Sequence, residues 1–316
     1  MTGSETSPTA LKGGRYVQVD VTAWPVDSRE PLGTKPKQWL GDPKGDRWLM
    51  KYTTDNQRHD GTRYRKGDDW SERIAIGVAM QLGVPAARTE LAVENTRDVP
   101  AYGVISKEVL ATPAAGELQS TEELIHGNQL VSIQKVGRER VGYSIWAVQQ
   151  ALDGVAVPDG IEDCHTAWEA FVGYLLLDAV VGNSDRHEEN WAVIDRAGNR
   201  RLAATFDHAS CLGFQLEDAE RERRLCTRDG GYTPEAWADR AKSPFEGRPH
   251  PVSAALSALE LTDRAVRDHW MNRCNDVDRL VEPVWMIPEA RMSLPARQFA
   301  ERVIRQNCRR LLGEFH

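Results

Sequence analysis

The sequence predicts an α+β protein of two lobes, a small β-rich N-terminal lobe with one helix and a larger helical C-terminal lobe. Three observations predict it. Up to about residue 106, apolar residues alternate over short runs, as in Val17, Val19 and Val21 and again in Arg47-Trp48-Leu49-Met50-Lys51-Tyr52. Beyond residue 110 they recur at helical spacing, most strongly over 162–181. A polar cluster at 182–190 then interrupts the helical part. Strands first and helices later make an α+β plan, and 316 residues are enough for two packed lobes.

The elements follow in order. Residues 1–14 read as a flexible tail, 15–110 as the N-terminal lobe and 111–316 as the C-terminal lobe. A first strand is expected over Tyr16–Trp24, a Pro/Gly/Lys loop over 31–46, a strand over Arg47–Tyr52 and a polar loop over 53–69. Asp69 or Ser71 can cap a helix in which Ile74, Val78 and Leu82 share one face and Gly83 with Pro85 ends the run. Short strands at 88–94 and 101–106 flank the turn Asn95-Thr96-Arg97-Asp98. Helices are expected over 144–153 and 162–181, a hairpin around Ala197-Gly198-Asn199, then helices at 234–241, 252–275 and 295–313. Glu217–Arg224 reads as a solvated helical face with i, i+4 pairing.

Composition excludes several classes. An apolar content of 41 % fits a folded chain, and a formal charge of −7 argues against a protein whose main work is coating nucleic acid. The N-terminus lacks a basic start and apolar core, and the apolar run 167–181 is broken by Glu169 and Asp178 and falls short of a membrane span. Five scattered cysteines without a C-x-x-C pair favour reduced thiols over disulfides or a zinc knuckle. The expectation is a soluble cytoplasmic protein with no nucleic-acid and no membrane partner.

The chemistry concentrates in Gly182-Asn183-Ser184-Asp185-Arg186-His187-Glu188-Glu189-Asn190 and in Phe206-Asp207-His208 beyond the hairpin. Phosphoryl transfer needs one carboxylate to accept the proton of the attacking hydroxyl, and an Asn and a second carboxylate to hold Mg²⁺ against ATP phosphates. Asp185 fits the base, with Asn190 and Asp207 as metal ligands. His187-Glu188 is no zinc-hydrolase motif, because Trp191 stands where a second histidine ligand is required.

A cation for the phosphates is also expected. Of forty Lys and Arg residues only nine are Lys, and Lys35, Lys37, Lys44 and Lys51 crowd into the glycine-containing loop and the strand after it. Lys51 ends that strand and Glu72 opens the next helix, the strand-lysine and helix-glutamate pairing that fixes phosphates in protein kinases. Gly33, Thr34 and Lys35 can bring backbone N–H groups to the phosphates.

The run Asn183-x-Asp185-Arg186-His187-x-x-Asn190, followed by Phe206-Asp207, resembles the catalytic and metal loops of HipA-like serine/threonine kinases, whose fold is akin to protein kinases and phosphoinositide kinases. Gly33-Thr34-Lys35-Pro36-Lys37 resembles their glycine loop and Trp48-x-x-Lys51 their ATP lysine, so the resemblance runs in motif order over about residues 30–215. It implies ATP and Mg²⁺ as cofactors, a protein acceptor, a hinge at Ser106–Leu110 whose backbone meets adenine at Glu108 and Leu110, and a role for His187 in shaping the metal loop. Two departures bear on partners. No N-terminal β subdomain fits before residue 16, and Glu30 stands where family members often carry a phosphorylatable Ser. Both argue against loop autophosphorylation and against an antitoxin-type partner. Two other readings share the motifs: a kinase of a lipid headgroup or small metabolite, and a non-catalytic nucleotide-binding relative.

Overall fold

The structure is a computed structural model that describes residues 11–12, 14–29, 36–58, 60–96, 99–111 and 121–313. Six strands build the first sheet: β1 (Gln18–Asp20), β2 (Val26–Arg29), β3 (Lys37–Gly41), β4 (Arg47–Tyr52), β5 (Thr89–Glu94) and β6 (Ala101–Lys107). Their spatial order is β1-β5-β6-β4-β3-β2, antiparallel throughout except for the parallel β1–β5 pair. The helix α1 (Asp68–Leu82) lies in sequence between β4 and β5.

Period-2 alternation gives this sheet two faces with different partners. Leu40, Trp48, Met50 and Ile105 bury together in a small outer core with Val21 and Ala92. The intervening residues Lys37, Trp39, Leu49, Lys51, Val104 and Ser106 point the other way and line the cleft. The register sets Lys37 opposite Lys51, Trp39 opposite Leu49 and Val104 opposite Lys51. Deeper on that face, Leu91 and Val104 pack on Ile74, Val78 and Leu82 of α1, which share one stripe as their spacing predicts. Gly83 ends α1 at φ 69°, in the left-handed region where glycine is least strained.

The second lobe carries the sheet β7 (Glu123–His126), β8 (Ala192–Arg196) and β9 (Asn199–Leu202), in the order β7-β8-β9, with the helices α2 (Ala167–Val181), α3 (Pro251–Glu260), α4 (Arg264–Cys274), α5 (Val277–Met286) and α6 (Leu294–Gly313). Thr166 caps α2 by accepting the Glu169 N–H at 3.2 Å, and Gly182 closes it at φ 65°. Apolar nearly all round, α2 is the buried centre of the lobe, packed on α1, α3 and α6. Ala197 and Gly198, at φ 53° and 87°, turn β8 into β9 with the double left-handed geometry that suits a tight hairpin. Trp191 packs its indole edge-on to Phe171 and donates to the Tyr143 hydroxyl at 3.0 Å. Among the described residues no helix is long and apolar enough to cross a membrane.

Several expectations change. The first strand is cut to Gln18–Asp20 because the Asp20 carboxylate turns the chain by accepting the Thr22 N–H at 2.9 Å. Part of the loop expected over 31–46 is β3, and part of that expected over 53–69 is a hairpin, Asp55–Gln57 with Arg63–Arg65. The α1 cap is Gly67 with no side-chain bond, while the Ser71 hydroxyl donates instead to the Ala209 carbonyl at 2.7 Å. The single helix expected over 252–275 is two, since Asp263 caps a new start by accepting the Val266 N–H at 2.9 Å. Glu217–Arg224 is not wholly solvated: Arg221 is buried over Trp70 and donates to the Gly213 carbonyl at 3.0 Å.

One arginine between α5 and α6 ties the lobes together. Arg291 is buried, pairs with Asp69 of α1 at 2.5 Å, and donates to the carbonyls of Ala92 at 3.1 Å and Gly103 at 2.8 Å. It therefore satisfies α1 and the β5–β6 pair at once, and its removal strands a buried carboxylate. Arg291→Met is expected to cost about 3–5 kcal/mol, the usual loss when one partner of a buried ion pair is deleted. Urea unfolding measures it, and a loss under about 1 kcal/mol contradicts this role.

Candidate active site

A cavity of about 450 Å³ opens between the cleft face of the first sheet and the loops around β8. Its roof includes Lys37, Trp39, Leu49, Lys51 and Val104; its floor includes Asp185, His187, Asn190, Phe206 and Asp207.

The floor is built from α2 downward. Asp178, in the last turn of α2, accepts from Arg186 Nε at 2.7 Å and Nη2 at 2.8 Å, and from Asn183 Nδ2 at 2.8 Å. The third arm of Arg186, Nη1, reaches the Asn190 carbonyl at 2.8 Å, so one guanidinium holds both ends of the 182–190 loop. Asn183 Oδ1 accepts the Asp185 N–H at 3.1 Å, and Tyr143 donates to the Arg186 carbonyl at 2.8 Å. A chain so rich in Asx residues folds here into a rigid loop because a buried ion pair organises it.

Held this way, Asp185 is accessible from the cleft. Its carboxylate accepts from Ser210 Oγ at 3.3 Å and lies 3.8 Å from His187 Nε2. Burial raises its pKa above the ordinary Asp value, and the neighbouring Asp207 adds to that; His187 and Ser210 pull the other way. Asn190 Nδ2 is committed to the Asp185 carbonyl at 2.7 Å, which leaves the amide oxygen as the atom able to meet a cation. The His187 imidazole accepts the Glu189 N–H at 3.2 Å, and the His187 carbonyl accepts the Asn190 N–H at 2.9 Å.

The roof differs from expectation at one point. Lys51 meets Asp207 at 3.0 Å rather than Glu72. Its pKa is raised: burial alone would lower it, and the charges of Asp207 and Glu72 prevail. Glu72 faces His208 instead. Burial would raise the Glu72 carboxyl, yet the His208 hydrogen bonds and the Lys51 charge hold it below the usual value. Asp207 has φ 62°, an uncommon backbone for a residue with a side chain.

At the hinge, Lys107, Glu108 and Val109 reach the cavity, whereas Leu110 packs with Leu124 and Phe206 on the small core of Ala192, Ile194 and Ala203. The Glu108 N–H already donates to the Arg47 carbonyl at 3.0 Å, so only its carbonyl is left to meet a base. Its side chain pairs with Arg47 at 2.7 Å. Gly33, Thr34 and Lys35 lie outside the described residues. Sequence reasoning missed Asp178, Tyr143 and Ser210; the acidic break in an apolar helix was the one available signal for Asp178.

No family model matches the chain. The serine/threonine-protein kinase CtkA of Helicobacter pylori is 24 % identical over 207 residues, 61 % of this chain and 58 % of that protein. The crystal structure described as a proinflammatory kinase CtkA superposes with a TM-score of 0.66 at 18 % identity, covering 92 % of this chain and 94 % of that one. The fold is that of the HipA-like kinases. HipA of Shewanella oneidensis, solved with HipB and operator DNA, aligns with a TM-score of 0.55 at 14 % identity over 92 % of this chain and 67 % of its own.

The floor of the cleft brings Asp185 near Asp207, and that neighbour disfavours the ionised form of Asp185. An Asp whose folded pKa is raised binds its proton more tightly than in the unfolded chain, so its stabilising share is lost as pH rises through the folded value. Asp185→Asn is therefore expected to raise the unfolding midpoint at pH 7.5 in metal-free buffer, with the gain fading as pH falls through the raised folded pKa and gone below the ordinary Asp value of about 4. An equal or lower midpoint at pH 7.5 contradicts the strain.

Proposed function

We propose that the protein is an ATP- and Mg²⁺-dependent phosphotransferase that moves the γ-phosphate to a serine or threonine hydroxyl of a protein. The observation that carries this is one cavity with Lys37 and Lys51 on one wall and Asp185, Asp207 and the Asn190 amide on the other. Lys37 and Lys51 stand directly opposite each other in the β3–β4 register. Both side chains line the cavity, where a polyphosphate would lie against them. Asp207 and Asn190 would hold Mg²⁺. Mg²⁺ is commonly held by one or two carboxylates together with substrate phosphates.

The apolar walls Trp39, Leu49, Val104, Leu124 and Phe206 offer a base-sized slot, with the Glu108 carbonyl at its edge. Asp185 receives the acceptor proton on its carboxylate, and its raised pKa makes it a better proton acceptor than an ordinary Asp. Lys51 and Lys37 orient the phosphates. Mg²⁺, when bound, neutralises charge that develops on the transferred group. A protein acceptor is favoured by the named activity of CtkA. An antitoxin-type partner is a secondary reading, prompted by the HipA complex with HipB. The five free cysteines, four of them buried, support a reducing compartment, the cytoplasm.

The test uses γ-labelled ATP with cell lysate. Asp185→Ala is expected to lower labelling at least about 10³-fold while nucleotide affinity stays within about threefold, since removal of the base spares binding. Lys51→Met and Lys37→Met are expected to weaken nucleotide binding about tenfold or more. Equal labelling by wild type and Asp185→Ala overturns the assignment.

A further inference from the structure

Glu72 occupies the place from which a helix glutamate would anchor the ATP lysine, yet both of its oxygens are engaged elsewhere. Oε2 accepts the His208 backbone N–H at 2.6 Å, and Oε1 lies 3.2 Å from His208 Nδ1. On the far side of the same ring, Nε2 lies 2.9 Å from Thr205 Oγ1. One assignment satisfies every group: Nδ1–H donates to Glu72, and the Thr205 hydroxyl donates to Nε2. Thr205 is itself fixed, its N–H donating to the Pro85 carbonyl and its carbonyl accepting from Ala87 N, both at 2.9 Å. Glu72 and His208 are both buried, at 1 % and 0 % exposure, so water does not compete for these bonds.

Between the two anchored residues sits Asp207, with its left-handed backbone. A side-chain-bearing residue keeps such a conformation only where its surroundings over-determine it. The His208 N–H belongs to the peptide plane that closes the Asp207 backbone, so the Glu72–His208 bond sets that plane directly. Lys51, meanwhile, is paired with Asp207.

Resting on the active-site reading above, we propose that Glu72 and His208 are positioning residues for the metal-binding aspartate. The Glu72 carboxylate holds the Asp207–His208 peptide and the His208 ring, and thereby aims the Asp207 carboxylate into the cleft. Lys51 takes its anchor from Asp207, not from Glu72. The strand lysine, the metal aspartate, the histidine and the helix glutamate form a chain in that order.

The experiment separates metal affinity from nucleotide affinity. Wild type, Glu72→Gln, His208→Leu, His208→Asn and Lys51→Met are compared in two measurements. One is Mn²⁺ binding to the complex with a non-hydrolysable ATP analogue, followed by electron paramagnetic resonance; the other is binding of a fluorescent ATP analogue without metal. Glu72→Gln and His208→Leu are expected to weaken Mn²⁺ binding about tenfold or more, as loss of outer-shell support does, with metal-free nucleotide affinity within about twofold. His208→Asn, whose amide N–H replaces Nδ1–H, should retain most of the Mn²⁺ affinity. Lys51→Met should show the reverse pattern, weak nucleotide binding without metal. Glu72→Gln behaving like Lys51→Met, or binding Mn²⁺ as wild type does, overturns the proposal. Wild type that binds neither nucleotide nor Mn²⁺ overturns the active-site reading itself. Should His208→Leu fail to fold, Glu72→Gln and His208→Asn carry the comparison alone.

Discussion

The cleft depends on one buried ion pair. Asp178 and Arg186 are 3 % and 1 % exposed, and their two-pronged contact leaves neither charge unpaired. Charges this deep are tolerated only when every donor and acceptor finds a partner. That demand recruits Asn183 to the Asp178 carboxylate and the Asn190 carbonyl to Arg186. The loop that carries Asp185 and Asn190 thus has little freedom. A loop able to adopt many shapes would lose much of the rate that positioning supplies, so a costly buried pair is a reasonable foundation for a site of this kind.

The opposite wall is governed by a simpler rule. Alternation along β3, β4 and β6 sends Leu40, Trp48, Met50 and Ile105 into the outer core and sends Lys37, Lys51 and Val104 into the cleft. A shift of one residue in any of these strands would exchange the two sets. The apolar outer face therefore fixes the register, and the register fixes where the cations stand. Arg291 then sets the sheet at its distance from α1, and through α1 from the floor that Glu72 touches.

Much of the site was legible in the chain. Asp185, Asn190, Asp207 and Lys51, singled out by residue type and order, all line one cavity. The partner of Lys51 was not legible. Glu72 and Asp207 are both acids in suitable positions, and only the route of the chain past His208 decides which carboxylate the lysine meets. Leu110 and Val109 show the same limit: neighbours in this segment face opposite ways, and spacing alone does not say which one faces the cavity. Strand β3 was read as a loop because Pro36 and the glycines around it mask a short run that pairs on both sides. Strand β7 has only four residues, and its pairing with β8 joins segments far apart in sequence.

By itself the sequence determined the two-lobed α+β plan, the long buried helix α2 and the identity of the acid, amide and lysine side chains, since periodicity and residue chemistry are local properties. The tertiary structure alone decided which of those groups touch. It set Lys51 against Asp207, tied Glu72 to His208, and gave Asp178 its hold on the 182–190 loop. The physical reason is that pairing among buried charges is a competition for partners in three dimensions. Its outcome is set by packing and by the need to leave no buried group unsatisfied, and neither can be read from spacing along the chain.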